Sequence, residues 1–241
     1  MTYLEAMEAR YSRRNYLDTP ISSGDIDKLK SAVDQYNKES GLSIQLIEDG
    51  HSAFKGILRN YGMFHGVRSF FAMVGNTGEA GLFDRIGYYG ELLVLEATML
   101  GLGTCWVGAT YSKKHCPCKI GNNETLVCLI TVGTVKEKPG LKENLVYLSA
   151  HHGGKKSLES LYTADSEVPD WFLAGMKAVR IAPSALNTQP VRAEYKSGSV
   201  TIYVEDPCHR NLINLGIAKA HFELAAGGKF GSGNYSAFKK S

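Results

Sequence analysis

Long apolar runs are missing from these 241 residues: no stretch reaches the roughly 18 uninterrupted apolar side chains that a helix needs to cross a bilayer. Basic runs are missing too. No five consecutive Lys or Arg occur, and 27 basic against 24 acidic residues leave a net charge of +3. A mixed, solvated surface is therefore expected, rather than one that binds nucleic acid or membrane. The stretch Met1–Arg10 alternates charged and apolar residues without the apolar segment of a secretory signal, which gives the expectation of a cytoplasmic protein. Cysteine is sparse and odd in number: Cys105, Cys116, Cys118, Cys128 and Cys208 read as free thiols of a reducing compartment. The segment His115-Cys116-Pro117-Cys118 has no second Cys pair to complete the four ligands of a structural zinc. No metal is expected, and these two are read as surface loop thiols. Absent as well are Gly-x-Ser-x-Gly, Walker and Gly-x-Gly-x-x-Gly fingerprints, and His65, His151, His152, His209 and His221 have no carboxylate at a recognisable spacing. Hydrolase, kinase and dinucleotide-fold readings lose their support.

What is present is an alternation of helical and strand patterns, with enough apolar residues (44%) for a sizeable core. A short helix is expected at Thr2–Ala9, and a further helix, capped by Ser23 and ended by Gly41, through Ile26, Leu29, Val33 and Tyr36. Leu42–Ile47, Ser69–Val74 and Leu126–Val132 read as strands, and the unbroken apolar run from Phe70 to Val74 is of the kind buried on both faces. Phe83–Leu100 is apolar nearly all round until Gly101 and Gly103 stop it, as a central core helix should be. Lys136–Gly154 is a polar connection, and a boundary is expected near residue 150, giving a first half of residues 1–150 and a shortened second half of 151–241. Ser166 and Pro169 begin a helix through Phe172, Met176 and Val179; Val191–Ser197 and Val200–Glu205 flank Gly198 as a hairpin; Asn211–Ala226 is a last amphipathic helix. Gly87, Leu95 and Ala97 match Gly216, Leu224 and Ala226 at one constant offset, a faint internal repeat.

Three segments could carry chemistry. Arg10-Tyr11-Ser12-Arg13-Arg14-Asn15-Tyr16 groups guanidinium and hydroxyl donors at a helix end; it suits a phosphate or a carbonyl-rich ring, and it equally suits a solvated face. Pro183 and Pro190 bracket Ser184-Ala185-Leu186-Asn187-Thr188-Gln189, either a loop that admits a flat ligand or a helix-to-strand turn. Gly101–Gly108 could turn backbone N–H groups toward a ring edge with Trp106 as a wall, or could simply stop the helix before a strand.

Taken together and in order, these segments resemble the nitroreductase family of FMN-dependent NAD(P)H oxidoreductases. Arg10-x-Ser12-x-Arg14-x-Tyr16 is similar to the family's N-terminal basic signature, Ala182–Pro190 to its Ala-Pro-Ser-x-x-Asn-x-Gln-Pro loop, and Gly101–Gly108 to the stretch that lies against the flavin near N5. The resemblance implies that Arg10, Tyr11, Ser12, Arg14, Trp106, Val107, Gly108, Lys155, Lys156, Pro183, Ser184, Ala185, Asn187 and Gln189 bind the cofactor, with Lys155 and Lys156 closing over its phosphate. No side chain then acts as acid or base, because the flavin carries the reaction. The Pro-Ser-x-x-Asn loop usually lies within the family's first fifty residues; here it sits in the second half. That order resembles a subgroup in which two shortened halves are fused, so one chain imitates the dimer, as a monomer or a weak homodimer. Glu159 stands where a second clamp would need the counterpart of Arg14, so one FMN per chain is expected. The implied fold is an α+β sandwich with a mixed, mostly antiparallel sheet between helices. The implied activity is ping-pong reduction of nitroaromatics or quinones with NADH or NADPH. A flavin-binding sensor or carrier without steady turnover stays open beside it.

Overall fold

A computed structural model describes residues 1–54, 64–140, 143–144 and 154–241. The expected boundary near residue 150, with His151 and His152, lies outside the described residues. Contacts divide the chain into a first unit, Ala9–Glu79 with Leu93–Ser149, and a second unit, Met1–Glu8, Ala80–Leu92 and Ala150–Ser241.

In the first unit, helix α2 (Ser23–Ser40) buries Ile26, Leu29, Val33 and Tyr36, the stripe that three- and four-residue spacing puts on one face. Its cap is Ser22 and not Ser23. Ser22 is extended and its hydroxyl accepts from Asp25 N at 3.1 Å, which makes Ser23 the first helical residue. Gly41, at φ 70°, closes the other end with a hydrogen bond to Asn37 O. Four strands follow: β1 (Gln45–Ile47), β2 (Ser69–Asn76), β3 (Gly103–Val107) and β4 (Glu124–Gly133), in the order β1-β2-β4-β3 and antiparallel throughout. The apolar run Phe70–Val74 is fully buried in β2, and its Phe70, Ala72 and Val74 make a core with Phe54 of the short helix α3 (His51–Phe54), Val107 and Leu129.

The second unit begins with α1 (Tyr3–Ala9), all but its last residue, and takes in Leu82–Leu92 of the long helix α4 (Leu82–Met99), whose remaining turns belong to the first unit. Its sheet runs β5-β6-β7-β9-β8, where β5 is Tyr162–Ala164, β6 Val191–Lys196, β7 Ser199–Val204, β8 Gly228–Phe230 and β9 Ser236–Lys240. Only β5–β6 is parallel. The expected hairpin forms β6 and β7, turned by Ser197 and Gly198 with φ of 49° and 77°, the left-handed pair of a tight hairpin. Helices α5 (Asp170–Ile181) and α6 (His209–Ala226) supply Phe172, Met176, Leu215 and Phe222 to its core. Helix α6 also crosses the first turns of α4 at glycine. A Cβ on Gly87 would lie 2.0 Å from Ile213 O, and one on Gly216 1.9 Å from Asp84 O. Among the described residues the fold is thus α+β and mostly antiparallel as expected, with its strands in two sheets rather than one.

Candidate functional site

In the first unit the basic segment runs beside β3. Ser12 bridges Thr104 in parallel and Arg13 N donates to Thr104 O at 2.8 Å. Arg13 is buried, its Nη1 donating to Lys136 O, and Gly103 leaves it room, since a Cβ there would stand 2.9 Å from Arg13 Cβ. Tyr16 is buried at the same edge; its hydroxyl donates to Arg13 O and shares a hydrogen bond with Thr131 Oγ1. Arg10, Ser12 and Arg14 are half-buried and converge on Cys105. Burial pushes the Cys105 thiol up, while the charges of Arg14 and Arg10 and a hydrogen bond to Ser12 pull the other way. Because Cys105 and Val107 point into the core, Trp106 leaves β3 by the opposite face, and Gly108 is exposed just beyond the strand. The structure therefore brings Arg10, Ser12 and Arg14 to the strand that carries Trp106 and Val107.

One residue that the sequence did not single out holds this cluster. Glu143 is 2% exposed, and its carboxylate accepts from Arg14 N at 2.6 Å, Asn15 N at 2.9 Å and Gly140 N at 3.1 Å. Burial pushes this carboxyl up, but those three N–H donors and the Arg13 charge together hold it below the ordinary range. Tyr11 donates to Asn144 Oδ1 at 3.2 Å nearby. Three concavities of this unit, about 700 Å³ along α2 and β1, about 620 Å³ along α2 and about 220 Å³ around Thr19–Ile21, are lined by none of Arg10, Ser12 and Arg14.

In the second unit Pro183–Pro190 is strained. Leu186, Asn187 and Gln189 hold φ of 53°, 53° and 46°, a conformation that costs an L side chain about 1–2 kcal/mol. Amides and main chain keep it there. Gln189 is buried; its Oε1 accepts from Lys156 N at 3.2 Å and its Nε2 donates to Gly154 O at 3.3 Å. Asn187 Nδ2 donates to Gly154 O at 2.9 Å, Ser184 Oγ accepts from Gln189 N, and Asn214 Oδ1 accepts from Ala185 N, both at 3.0 Å. The ammonium groups of Lys155 and Lys156 donate to Arg180 O and Gln189 O. Burial, then the charge of Arg192, lowers the Lys156 pKa. Asn214 Nδ2 is buried with no hydrogen-bond partner among the described residues.

His221 has the carboxylate that sequence spacing did not reveal: its Nε2 lies 2.9 Å from Glu91 Oε1, both residues fully buried in the second unit. Its Nδ1 faces Ala178 O, which can only accept, so Nδ1 carries a proton. Among the described residues no three His, Cys, Asp or Glu side chains are grouped to hold a metal, and no helix is long and apolar enough to cross a membrane.

A family model described as "Putative TM nitroreductase" matches residues 2–226. The chain belongs to this nitroreductase family. Among solved structures, a Thermotoga maritima protein described as a "putative nitroreductase" is 20% identical, with 99% of this chain and 92% of that one covered and a TM-score of 0.65. A nitroreductase family protein of Clostridium difficile is 15% identical over 69% of this chain and 100% of its own, with a TM-score of 0.51. A Bacteroides fragilis nitroreductase with bound FMN is 18% identical over 58% and 91%, with a TM-score of 0.44. At such identities the first two likenesses speak for the fold alone. No curated protein matches the chain.

Proposed function

We propose that this nitroreductase family member is an FMN-dependent NAD(P)H oxidoreductase acting on small acceptors such as nitroaromatics or quinones. The observation that supports it best is the placement of Arg10, Ser12 and Arg14 along β3, where two positive side chains and a hydroxyl act on Cys105, next in the strand to Trp106. This donor set fits a phosphate and a carbonyl-bearing ring edge. The Arg10 and Arg14 guanidiniums would offer charge-assisted hydrogen bonds, Ser12 its hydroxyl, and the Val107–Gly108 main chain an N–H near N5. Glu143 spends its charge on Arg13 and on main-chain N–H groups, and so fixes the direction in which the segment presents Arg14.

In the second unit, the strained loop supports the other part of the reading. Three left-handed residues in one loop are the kind of strain that persists at ligand sites, and Pro183, Ser184, Ala185, Asn187 and Gln189 are proposed to serve the same cofactor, with Lys155 and Lys156. The α4–α6 crossing at Gly87 and Gly216 supports the fused-halves reading, since the two glycines of the internal repeat meet each other's helix backbones. One FMN per chain, halves of residues 1–150 and 151–241, a monomer or weak homodimer and a cytoplasmic location belong to the same proposal. When bound, FMN would take hydride from NAD(P)H and pass electrons to the acceptor in turn. The absorption spectrum of purified protein tests the cofactor, and steady NAD(P)H oxidation with a quinone tests the activity. Protein that shows no flavin bands and gains none on incubation with FMN overturns the proposal.

A further inference from the structure

The proposed flavin chemistry leaves His115-Cys116-Pro117-Cys118 unused. The segment lies between β3 and β4 of the first unit, and its backbone is clamped on both sides. Ser52 Oγ donates to His115 O at 2.8 Å, and the Gln45 side chain takes Lys119 N and O at 2.8 and 2.7 Å. Between the clamps Cys116 is extended, with φ −75° and ψ 121°, and the Cys118 thiol shares a hydrogen bond with Cys116. Both thiols, half-buried, pack on the same core cluster. Residues two apart have Cα atoms at most about 7 Å from each other, the upper edge of the roughly 4.4–6.8 Å that a disulfide spans. A bond made there is therefore strained and easily reduced.

We propose that Cys116 and Cys118 form a reversible dithiol–disulfide couple that exchanges electrons with low-molecular-weight disulfides. The Cys118 thiol is pushed up to about 12, by burial first and then by its hydrogen bond to Cys116. The first attack is assigned to Cys116, the partner of that hydrogen bond, and the second to Cys118. The Cys116 thiolate breaks the S–S bond of RSSR, forming a mixed disulfide and releasing RS⁻, which takes up the proton that Cys116 lost on ionising. Cys118 then attacks the Cys116 sulfur, its proton leaving with the second thiol. Two protein thiols are oxidised, and one RSSR is reduced to two RSH. Cys128, which burial pushes up to about 12, stays a thiol. Tyr111 belongs to the core cluster on which Cys116 and Cys118 pack; burial first, then Cys128, Cys116 and Cys118, raises its pKa. Its hydroxyl is buried without a hydrogen-bond partner among the described residues, a donor still available to a sulfur anion.

Trypsin cuts after Lys114 and Lys119, so the peptide His115–Lys119 carries this pair and no other cysteine. The protein as purified, with its flavin content read from the absorption spectrum, is treated with glutathione disulfide and its remaining thiols are alkylated. The expected peptide has lost two hydrogens, regains them with dithiothreitol, and forms at least about tenfold faster than any adduct on half-buried Cys208. Cys118→Ser should stop at a glutathione adduct on Cys116, and Cys116→Ser should leave Cys118 unmodified over the same time. Glutathione persisting on Cys116 of the unaltered protein, or Cys118 reacting equally fast in Cys116→Ser, overturns the proposal. Neither result depends on whether FMN is bound.

Discussion

Arg10–Tyr16 and Pro183–Pro190 are both short non-helical segments that carry candidate ligands, and they are held by opposite means. The first is ordinary extended backbone pinned by charge, with one buried carboxylate collecting three main-chain N–H groups and an arginine. The second is held without a carboxylate, by the amides of Asn187, Gln189 and Asn214 and by Lys156 and Arg192 donating to Gln189 O, and its own backbone resists the shape imposed on it. Charge gives strong, pH-dependent anchoring of a segment whose task is to present charge. Amides and basic side chains give anchoring that does not titrate in the carboxylate range, and their number offsets the cost of left-handed residues. Two ways of fixing a loop should break in two different ways.

The largest effect should come from removing what the first segment presents. Arg10→Ala with Arg14→Ala should weaken FMN binding at least about a hundredfold, at about 1.5–3 kcal/mol for each charged contact. Flavin fluorescence titration reads this, and an unchanged Kd removes the segment from the cofactor site. Next comes its anchor. Glu143→Gln keeps one acceptor but turns an NH₂ group toward Gly140 N–H, at a cost of about 3 kcal/mol in chemical denaturation. The folded-state pKa of Glu143 is lowered from 4.5, so its contribution is complete above that value and is lost as pH falls through the lower folded value. The gap between the two proteins should therefore close on acidification below about pH 4.5, and a gap that stays constant there contradicts the charged anchor.

Gln189→Ala is the neutral counterpart. About 2 kcal/mol should disappear, lowering Tm by several degrees, with a difference from the unaltered protein that stays flat across the carboxylate range. A pH-dependent difference would erase the contrast between the segments. The smallest effect is a gain. Leu186 is 76% exposed, so Leu186→Gly gives up little packing and relieves a φ of 53°. The added unfolded-state freedom offsets part of that relief, leaving under about 1 kcal/mol and a Tm one or two degrees higher. A falling Tm would mean that the loop is not strained at this residue.

Most of the helices, the buried β2 and the β6–β7 hairpin were legible because periodicity and turn residues are local signals. The last two strands were not. Gly228–Phe230 and Ser236–Lys240 sit in a stretch rich in glycine, serine and lysine, and their only strong signal, Phe230 and Phe238, reads as sheet only once those rings meet Phe222 of α6. The separation into two sheets was equally hidden, since strand partners are chosen by long-range packing. The arginine segment and the proline-bracketed loop stood out by composition. Their anchors did not: Glu143 lies in a polar connection and Asn214 inside an apolar helix pattern, and neither spacing nor residue type separates them from solvated neighbours. Glu91 and His221 find each other only through the α4–α6 packing.

That packing has a consequence for how the sequence can change over generations. Along most of a helix pair, a new methyl group meets side chains, and these can turn or be replaced in their turn. Where α4 and α6 cross, it meets a carbonyl of the other chain segment, Ile213 O or Asp84 O, and a peptide group has no smaller substitute. No second mutation restores the lost space. The two positions are thus frozen separately while their surroundings drift, so an ancient doubling would fade to a pair of glycines at a fixed offset.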